Sequence, residues 1–434
     1  MTQVSQLYQV FRQHRDVSTD TRKITKGCIF FALKGPNFNA NQFAEKALHE
    51  GAAFAVIDDP VFAKGEKILL VDDVLITLQQ LSSYHRSQFT IPVIAIAGSN
   101  GKTTTKELIT SVLSKKFRVL STSGNFNNHI GVPLTLLMLD AVHEIAVIEI
   151  GANHEKENAF LCDLIKPGFG LVTNNGKDHL EGFGSLEGVA RSNAEVFEFL
   201  QYHAGVAFVN ALDHELMIAS SKVKTRITYA AESVESINTA DVMGNAKTVR
   251  PQIHFSLPDE QDEIVSALSG EYNFDNIMAA VCIGKHFHVD FHSIKLGIEE
   301  YTPDNKRSQV IKKAKNTLYL DAYNANPTSM ELSLKNFASM PFGNKIAILG
   351  DMLEMGSYAE SEHKNLMNLC RVLPLEKVIY IGKEFTKQAL EGDICLQNTE
   401  DAISFVKELQ LAGKNVFLKG SRSIKLEEIA AVIE

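Results

Sequence analysis

Val93-Ile94-Ala95-Ile96-Ala97-Gly98-Ser99-Asn100-Gly101-Lys102-Thr103-Thr104-Thr105-Lys106-Glu107 is an apolar run, a glycine-containing turn and the start of a helix. The run Val93 to Ala97 reads as a strand covered on both faces, because neither register offers a polar residue. The turn after it suits a nucleotide triphosphate. Glycines let backbone N–H groups close on phosphate oxygens, and a helix that begins there points its positive end at them. In that reading Gly98, Ser99, Asn100, Gly101, Lys102, Thr103 and Thr104 form the phosphate cradle. Lys102 reaches the outer phosphates and the Thr103 hydroxyl binds Mg²⁺. A chance Gly-Lys-Thr on a surface turn would need neither the strand before it nor the helix after it. The common loop has four residues between its glycines, whereas Gly98 and Gly101 are separated by two.

Strands and helices alternate outward from this loop. Further strands are expected at 117–120, 144–150, 168–173 and 205–209, with helices near 102–115, 155–165, 186–202 and 274–288. Such alternation predicts a doubly wound α/β domain. Residues 225–268 are rich in β-branched residues and turns and are expected to add an antiparallel extension. Before the loop, 28–33 and 53–57 read as strands with a helix at 41–51 between them, and 86–92 reads as a linker because Pro92 forces its predecessor out of helix. After a break around Tyr301-Thr302-Pro303-Asp304-Asn305 the alternation resumes. Strands are expected at 317–322, 345–349, 377–381 and 415–418, and helices near 327–339, 358–373, 384–391 and 400–412. No G-x-G-x-x-G follows the first of these strands, which argues against a dinucleotide site. The expected fold is α/β in three domains: a small α/β N-terminal domain (1–85), a central doubly wound P-loop-like ATP-binding domain (86–302) and a C-terminal Rossmann-like domain (303–434).

The bulk properties agree. A chain of 434 residues exceeds the roughly 250–300 residues one core sustains. Its net charge of −9 argues against a general nucleic-acid or acidic-membrane surface, so an anionic ligand must be held by local groups. The five cysteines are scattered without a C-x-x-C pair, as expected of buried thiols in a reducing compartment. No basic start followed by an apolar stretch opens the chain, and no apolar run approaches the ~20 residues of a membrane span. A cytoplasmic protein without an integral membrane segment is expected.

Four further clusters carry chemistry. Glu149 ends the strand before Ile150-Gly151-Ala152-Asn153-His154, where a carboxylate can face the ligand crevice and bind Mg²⁺, or form an ordinary salt bridge. His179, in Thr173-Asn174-Asn175-Gly176-Lys177-Asp178-His179, again follows a strand and so reaches the crevice, where it could serve a second metal site. Asn127 and Asn128, in Gly124-Asn125-Phe126-Asn127-Asn128, could recognise a polar substrate or equally form Asx turns. The last cluster is split: Asn273 and Asn276 open a helix with amides suited to a base edge, and Arg307 and Asp321 could take a phosphate and a ribose.

Together these stretches resemble the Mur ligases of peptidoglycan synthesis over nearly the whole chain. The shortened loop resembles that family's ATP loop. Phe30-Phe31-Ala32-Leu33-Lys34-Gly35, Gly124–Asn128, His179-Leu180-Glu181-Gly182-Phe183-Gly184-Ser185, Asp321-Ala322-Tyr323-Asn324-Ala325-Asn326-Pro327-Thr328-Ser329-Met330, Gly350-Asp351-Met352-Leu353-Glu354-Met355-Gly356 and Lys419-Gly420-Ser421-Arg422 are similar to the branch that joins D-alanyl-D-alanine to UDP-N-acetylmuramoyl-tripeptide. The resemblance implies a UDP domain, an ATP domain and a mobile domain closing over both. It implies ATP and Mg²⁺, an acyl phosphate of the tripeptide's terminal carboxylate, and attack on it by the dipeptide amine. Lys102, Glu149 and His179 would be catalytic, with Thr103, Glu149 and His179 on metal. Asn273, Asn276, Arg307 and Asp321 would contact ATP. Thr21 and Arg22 match the UDP-side motif, Asn127 and Asn128 would meet substrate, and Tyr323 and Asn326 fall nearest the dipeptide. A monomer is expected, without nucleic-acid partners. A sister Mur ligase, a folylpolyglutamate synthase and a non-catalytic nucleotide-binding homologue are the alternatives. Two departures stand out. Where the family usually carries a carbamylated lysine, fourteen residues after the loop histidine, this chain has Asn193. Asn39-Ala40-Asn41 replaces a frequent Asp-Gly-His.

Overall fold

The structure is a computed structural model that describes residues 2–232 and 240–434. The chain divides into two compact units. One comprises Met1–Ala95, Phe117–Gly151 and Glu157–Phe169; the other comprises Ile96–Lys116, Ala152–Lys156 and Gly170–Glu434.

In the first unit a four-stranded parallel sheet runs in the order Val17–Ser18, Ile29–Phe31, Phe54–Ile57, Ile68–Leu70. Side-chain alternation explains how it is covered. Ile29, Phe31 and Val56 turn to a core with Leu7, Phe11, Leu78 and Leu81, while Phe30, Ala32, Ala55 and Ile57 turn to another with Cys28, Ala40 and Ala44. The run expected as one helix over 41–51 is a 3₁₀ turn, Ala40–Phe43, followed by a short helix, Ala44–His49. Residues 86–92 are anchored at their start. Arg86 ends the helix Val74–Arg86, is buried, and donates to the carbonyl oxygens of Ile165 at 2.8 Å and Phe89 at 2.6 Å.

The strand expected at 93–97 is Val93–Ala97, every residue buried. It belongs to a nine-stranded sheet ordered Glu263–Ser266, Ile253–Ser256, Val242–Thr248, Thr225–Glu232, Val206–Asn210, Phe169–Val172, Val93–Ala97, Ile145–Glu149, Val119–Ser121. The 225–268 region differs in part from expectation. Thr225–Glu232 and Val242–Thr248 continue the sheet in parallel, and only Ile253–Ser256 and Glu263–Ser266 are antiparallel. β-Branched composition marks a strand but carries no direction. Residues 233–239 of that stretch lie outside the described residues.

The C-terminal part of the second unit holds a six-stranded sheet: Gln309–Lys312, Thr317–Asp321, Asn415–Lys419, Lys345–Gly350, Lys377–Ile381, Ile394–Leu396. All pairs are parallel except the first, which is antiparallel. Ile346, Ile348, Ile379, Ile381 and Leu418 face one core, and Ala347, Leu349, Tyr380 and Phe417 face the other. The helix expected over 384–391 is one short turn, Lys383–Lys387. All five cysteines are free; four are buried and Cys395 is half-buried. Burial pushes the Cys282 thiol up to about 12 and the Cys370 thiol up to about 11.

Candidate functional site

Gly98 and Gly101 both have positive φ, +120° and +81°, so the turn needs the backbone freedom of glycine. It also needs the space. A Cβ at Gly98 would lie 2.2 Å from Thr173 Oγ1, and one at Gly101 would lie 2.6 Å from Asn276 Oδ1. The loop is strapped to the next strand's end. Ser99 N donates to Asn174 O at 3.0 Å, Asn100 N donates to Asn174 Oδ1 at 3.1 Å, and Asn100 O accepts from Thr173 Oγ1 at 2.7 Å. Gly101 then caps the helix Lys102–Leu113.

The Lys102 ammonium rests on the loop's own carbonyl oxygens, those of Gly98 and, at 3.0 Å, Ser99, with Asp178 3.9 Å away. Thr103 is buried and its hydroxyl has no partner. Thr104 is buried on the same turn. Asn276 braces this helix from the side. Its Oδ1 accepts from Thr105 Oγ1 at 3.0 Å, and its Nδ2 donates to Asn273 Oδ1 at 3.2 Å.

His179 takes a left-handed backbone, φ +46°. Its Nδ1 lies 2.6 Å from Glu354 Oε2 and its Nε2 3.6 Å from Asp178 Oδ1. Burial alone would lower the imidazole pKa, but the two carboxylates outweigh it and raise it. The same pairing lowers the Glu354 pKa. Asn193 is buried and donates from Nδ2 to Asn175 Oδ1 at 3.0 Å. Among the described residues no group of three or more His, Cys, Asp and Glu is arranged to hold a metal.

The C-terminal residues reach the same loops. Asn326 Nδ2 donates to Asn100 Oδ1 at 2.8 Å, while its Oδ1 accepts from Ser329 N and caps the helix Pro327–Ala338. Thr328 Oγ1 accepts from Lys177 N at 3.0 Å, and Glu362 takes the Lys177 ammonium at 2.7 Å. Leu180 and Val189 lie in the same apolar cluster as Ala325, Met330, Met352 and Met355. The Arg307 guanidinium stacks 3.9 Å over the Tyr323 ring, with Arg422 at 5.4 Å. Asp321 pairs with Lys419 at 2.5 Å. Asp178, Glu354, Thr328 and Glu362 were not singled out by residue chemistry, although Asp178, Thr328 and Glu354 stand inside the quoted motifs.

In the first unit, Glu149 is buried at its strand's end. Asn127 Nδ2 holds its Oε1 at 2.8 Å, and its Oε2 has no partner. Asn128 Oδ1 accepts from Ile130 N and Gly131 N at 3.1 and 2.9 Å, the Asx-turn alternative. Thr21 opens a 3₁₀ turn capped by Asp20, and Arg22, 86% exposed, pairs with Asp20 at 2.8 Å. Asn41 is fully buried. It donates to Asn39 and Asp58 at 2.8 and 2.9 Å and accepts from Asp58 N at 2.9 Å. Asp58 also holds the Lys34 ammonium at 2.7 Å.

Residues 96–284 match the Mur ligase middle domain, and residues 306–422 match the Mur ligase glutamate ligase domain. The chain is 33% identical over 426 residues to the UDP-N-acetylmuramoyl-tripeptide–D-alanyl-D-alanine ligase of Escherichia coli K12, covering 96% of this chain and 93% of that one. It is 33% identical over 425 residues to the Bacillus subtilis 168 enzyme of the same name, covering 95% and 92%. A crystal structure of MurF from Acinetobacter baumannii superposes with a TM-score of 0.86 at 31% identity, covering 96% of this chain and 93% of that one.

Proposed function

The chain belongs to the Mur ligase family, and from that premise we propose that it joins D-alanyl-D-alanine to UDP-N-acetylmuramoyl-tripeptide with conversion of ATP to ADP and phosphate. The observation that carries this reading is the likeness to ligases of that name over 96% of the chain, with the shortened phosphate loop inside the matched region. The domain limits we adopt are 1–85 for the UDP substrate, 86–302 for ATP and 303–434 for closure. The protein acts as a cytoplasmic monomer on soluble precursors, and no described helix is long and apolar enough to cross a membrane.

The chemistry follows from charge. A tripeptide carboxylate oxygen attacks the γ-phosphorus of ATP, and ADP leaves. The dipeptide amine then attacks the acyl carbon of the acyl phosphate and loses a proton, and phosphate departs. The first step brings two anions together, so preorganised positive charge is the main requirement. Lys102 supplies it by turning from the loop carbonyls to phosphate oxygens. Thr103 Oγ1 and Glu149 Oε2 are each buried without a partner, each the kind of oxygen that Mg²⁺, a hard cation, takes, and we assign both residues to metal on the family resemblance. Magnesium would supply further positive charge to the triphosphate. Asn127 orients Glu149, and Glu354 orients His179, which we assign to the second metal. Asn273, Asn276, Arg307 and Asp321 attend ATP. Thr21 and Arg22 attend the UDP moiety, Asn128 the precursor, and Tyr323 and Asn326 the dipeptide.

Purified protein is expected to release phosphate from ATP only when tripeptide nucleotide and D-alanyl-D-alanine are both present. Lys102→Ala is expected to lower that rate by at least about 10²-fold. Robust turnover with a free amino acid in place of the dipeptide would redirect the reading to a sister ligase. Equal, negligible single-turnover rates for wild type and Lys102→Ala would leave a nucleotide-binding homologue.

A further inference from the structure

Glu107 lies on the helix Lys102–Leu113, just past the phosphate loop, and its carboxylate is committed far along the chain. Tyr301 OH donates to Oε2 at 2.8 Å, and Asn305 Nδ2 donates to Oε1 and Oε2 at 2.9 Å each. Both donors stand on the stretch that leads into Arg307. The Asn305 amide is oriented by this contact, since its Oδ1 is left buried without a donor.

The stretch is held from its other side as well. Lys306 pairs with Glu427 at 2.8 Å, Ser308 N donates to Asp321 Oδ1 at 3.4 Å, and Arg307 stacks on Tyr323. Between these anchors Lys306 and Ser308 both take left-handed backbone, φ +61° and +49°. Non-glycine residues keep that conformation only where their surroundings over-determine it. A free linker would relax; this one is clamped at both ends.

We propose that Glu107 is a positioning residue: through Tyr301 and Asn305 it fixes Arg307 relative to the phosphate loop, so that one helix sets both the phosphate cradle and the arginine that meets the nucleotide. Lys106 Nζ, 3.6 Å from Glu107 Oε1, is the cation beside the carboxylate and does not replace the two neutral donors. The inference rests on the reading of Arg307 as an ATP contact.

The test is a double-mutant cycle on the full chain with Glu107→Ala and Arg307→Ala. It reads ligation kinetics and, independently of turnover, the affinity for a non-hydrolysable ATP analogue by calorimetry. Glu107→Ala is expected to weaken nucleotide affinity about tenfold, with KM for the tripeptide nucleotide unchanged within about twofold. Added to Arg307→Ala it should cost nothing more, because residues that act as a unit are not additive. Glu107→Gln with Asn305→Asp reverses donor and acceptor across the contact and should restore most of the affinity. Losses that multiply in the double variant overturn the proposal. So does a fall in thermal midpoint with unchanged affinity, or an Arg307→Ala variant that binds the analogue normally. Should Glu107→Ala fail to fold, Glu107→Gln alone takes its place in the cycle. A non-additive affinity cycle in a protein that does not ligate would sink the ligase reading and leave this one standing.

Discussion

Asp275 sits between the two asparagines of the helix Glu271–His286, and burial pushes its carboxyl up to about 6 against the pull of the Asn210 side chain. Its folded pKa is therefore raised above its unfolded value of about 4. The protonated form is favoured in the fold, and the stability it contributes is complete below pH about 4 and lost as pH rises to about 6. Asp275→Asn removes that titration. The variant is expected to lose less stability than wild type between those pH values, by on the order of 3 kcal/mol, read from urea midpoints at each pH. Asn193 can be tested too. Its amide is buried against Asn175, and a neutral amide cannot carry a carbamate. Asn193→Lys is expected to make ligation respond to added bicarbonate or to shift its Mg²⁺ optimum. No change in either would mean that this position stands away from the metals. Residue types alone left Asn127 and Asn128 undecided between recognition and turn-making. In the structure one amide holds the Glu149 carboxylate, and its neighbour's oxygen is taken by two backbone N–H groups.

The strand–loop–helix element from Val93 to Leu113 was legible because every local signal agrees: an unbroken apolar run, glycines where φ must be positive, and a helix whose start they cap. Gly98→Ala tests that agreement. The added methyl has no room beside Thr173 and the backbone sits where L residues are rare. A loss of about 2–4 kcal/mol of stability is expected, together with loss of ATP-analogue binding, by denaturation and calorimetry. A stable variant that binds normally would mean that the loop can relax. The direction of the strands over 225–248 was not legible. Alternation reports which side chains are buried, not which neighbour a strand chooses. The partners of His179 and Lys177 were hidden for a similar reason. Glu354 and Glu362 lie about 180 residues further on, and only the tertiary fold brings these two carboxylates to them.

At the scale of the larger unit, the C-terminal sheet and its helices are joined to the nucleotide loops by two kinds of contact. Polar ones, Asn326 to Asn100 and Glu362 to Lys177, set register. The apolar one, Leu180 and Val189 among the methionines of the C-terminal core, supplies the larger share of stability, since a half-exposed ion pair contributes at most about 1 kcal/mol. Salt alone should therefore leave this arrangement intact. Leu180→Ala is expected to destabilise it by about 2–4 kcal/mol and to lower kcat, because His179, its chain neighbour, loses its fixed relation to Glu354. A variant with normal kcat and lowered stability would confine Leu180 to packing. The cysteines turn this into something that can be watched. Four thiols are buried, two of them held well above neutral pH, and Cys395, on the edge strand Ile394–Leu396, is the most exposed of the five, although burial raises its pKa as well. A maleimide fluorophore added to the unaltered protein should settle at that single position, giving a dye on the C-terminal sheet whose polarisation follows each substrate as it is added.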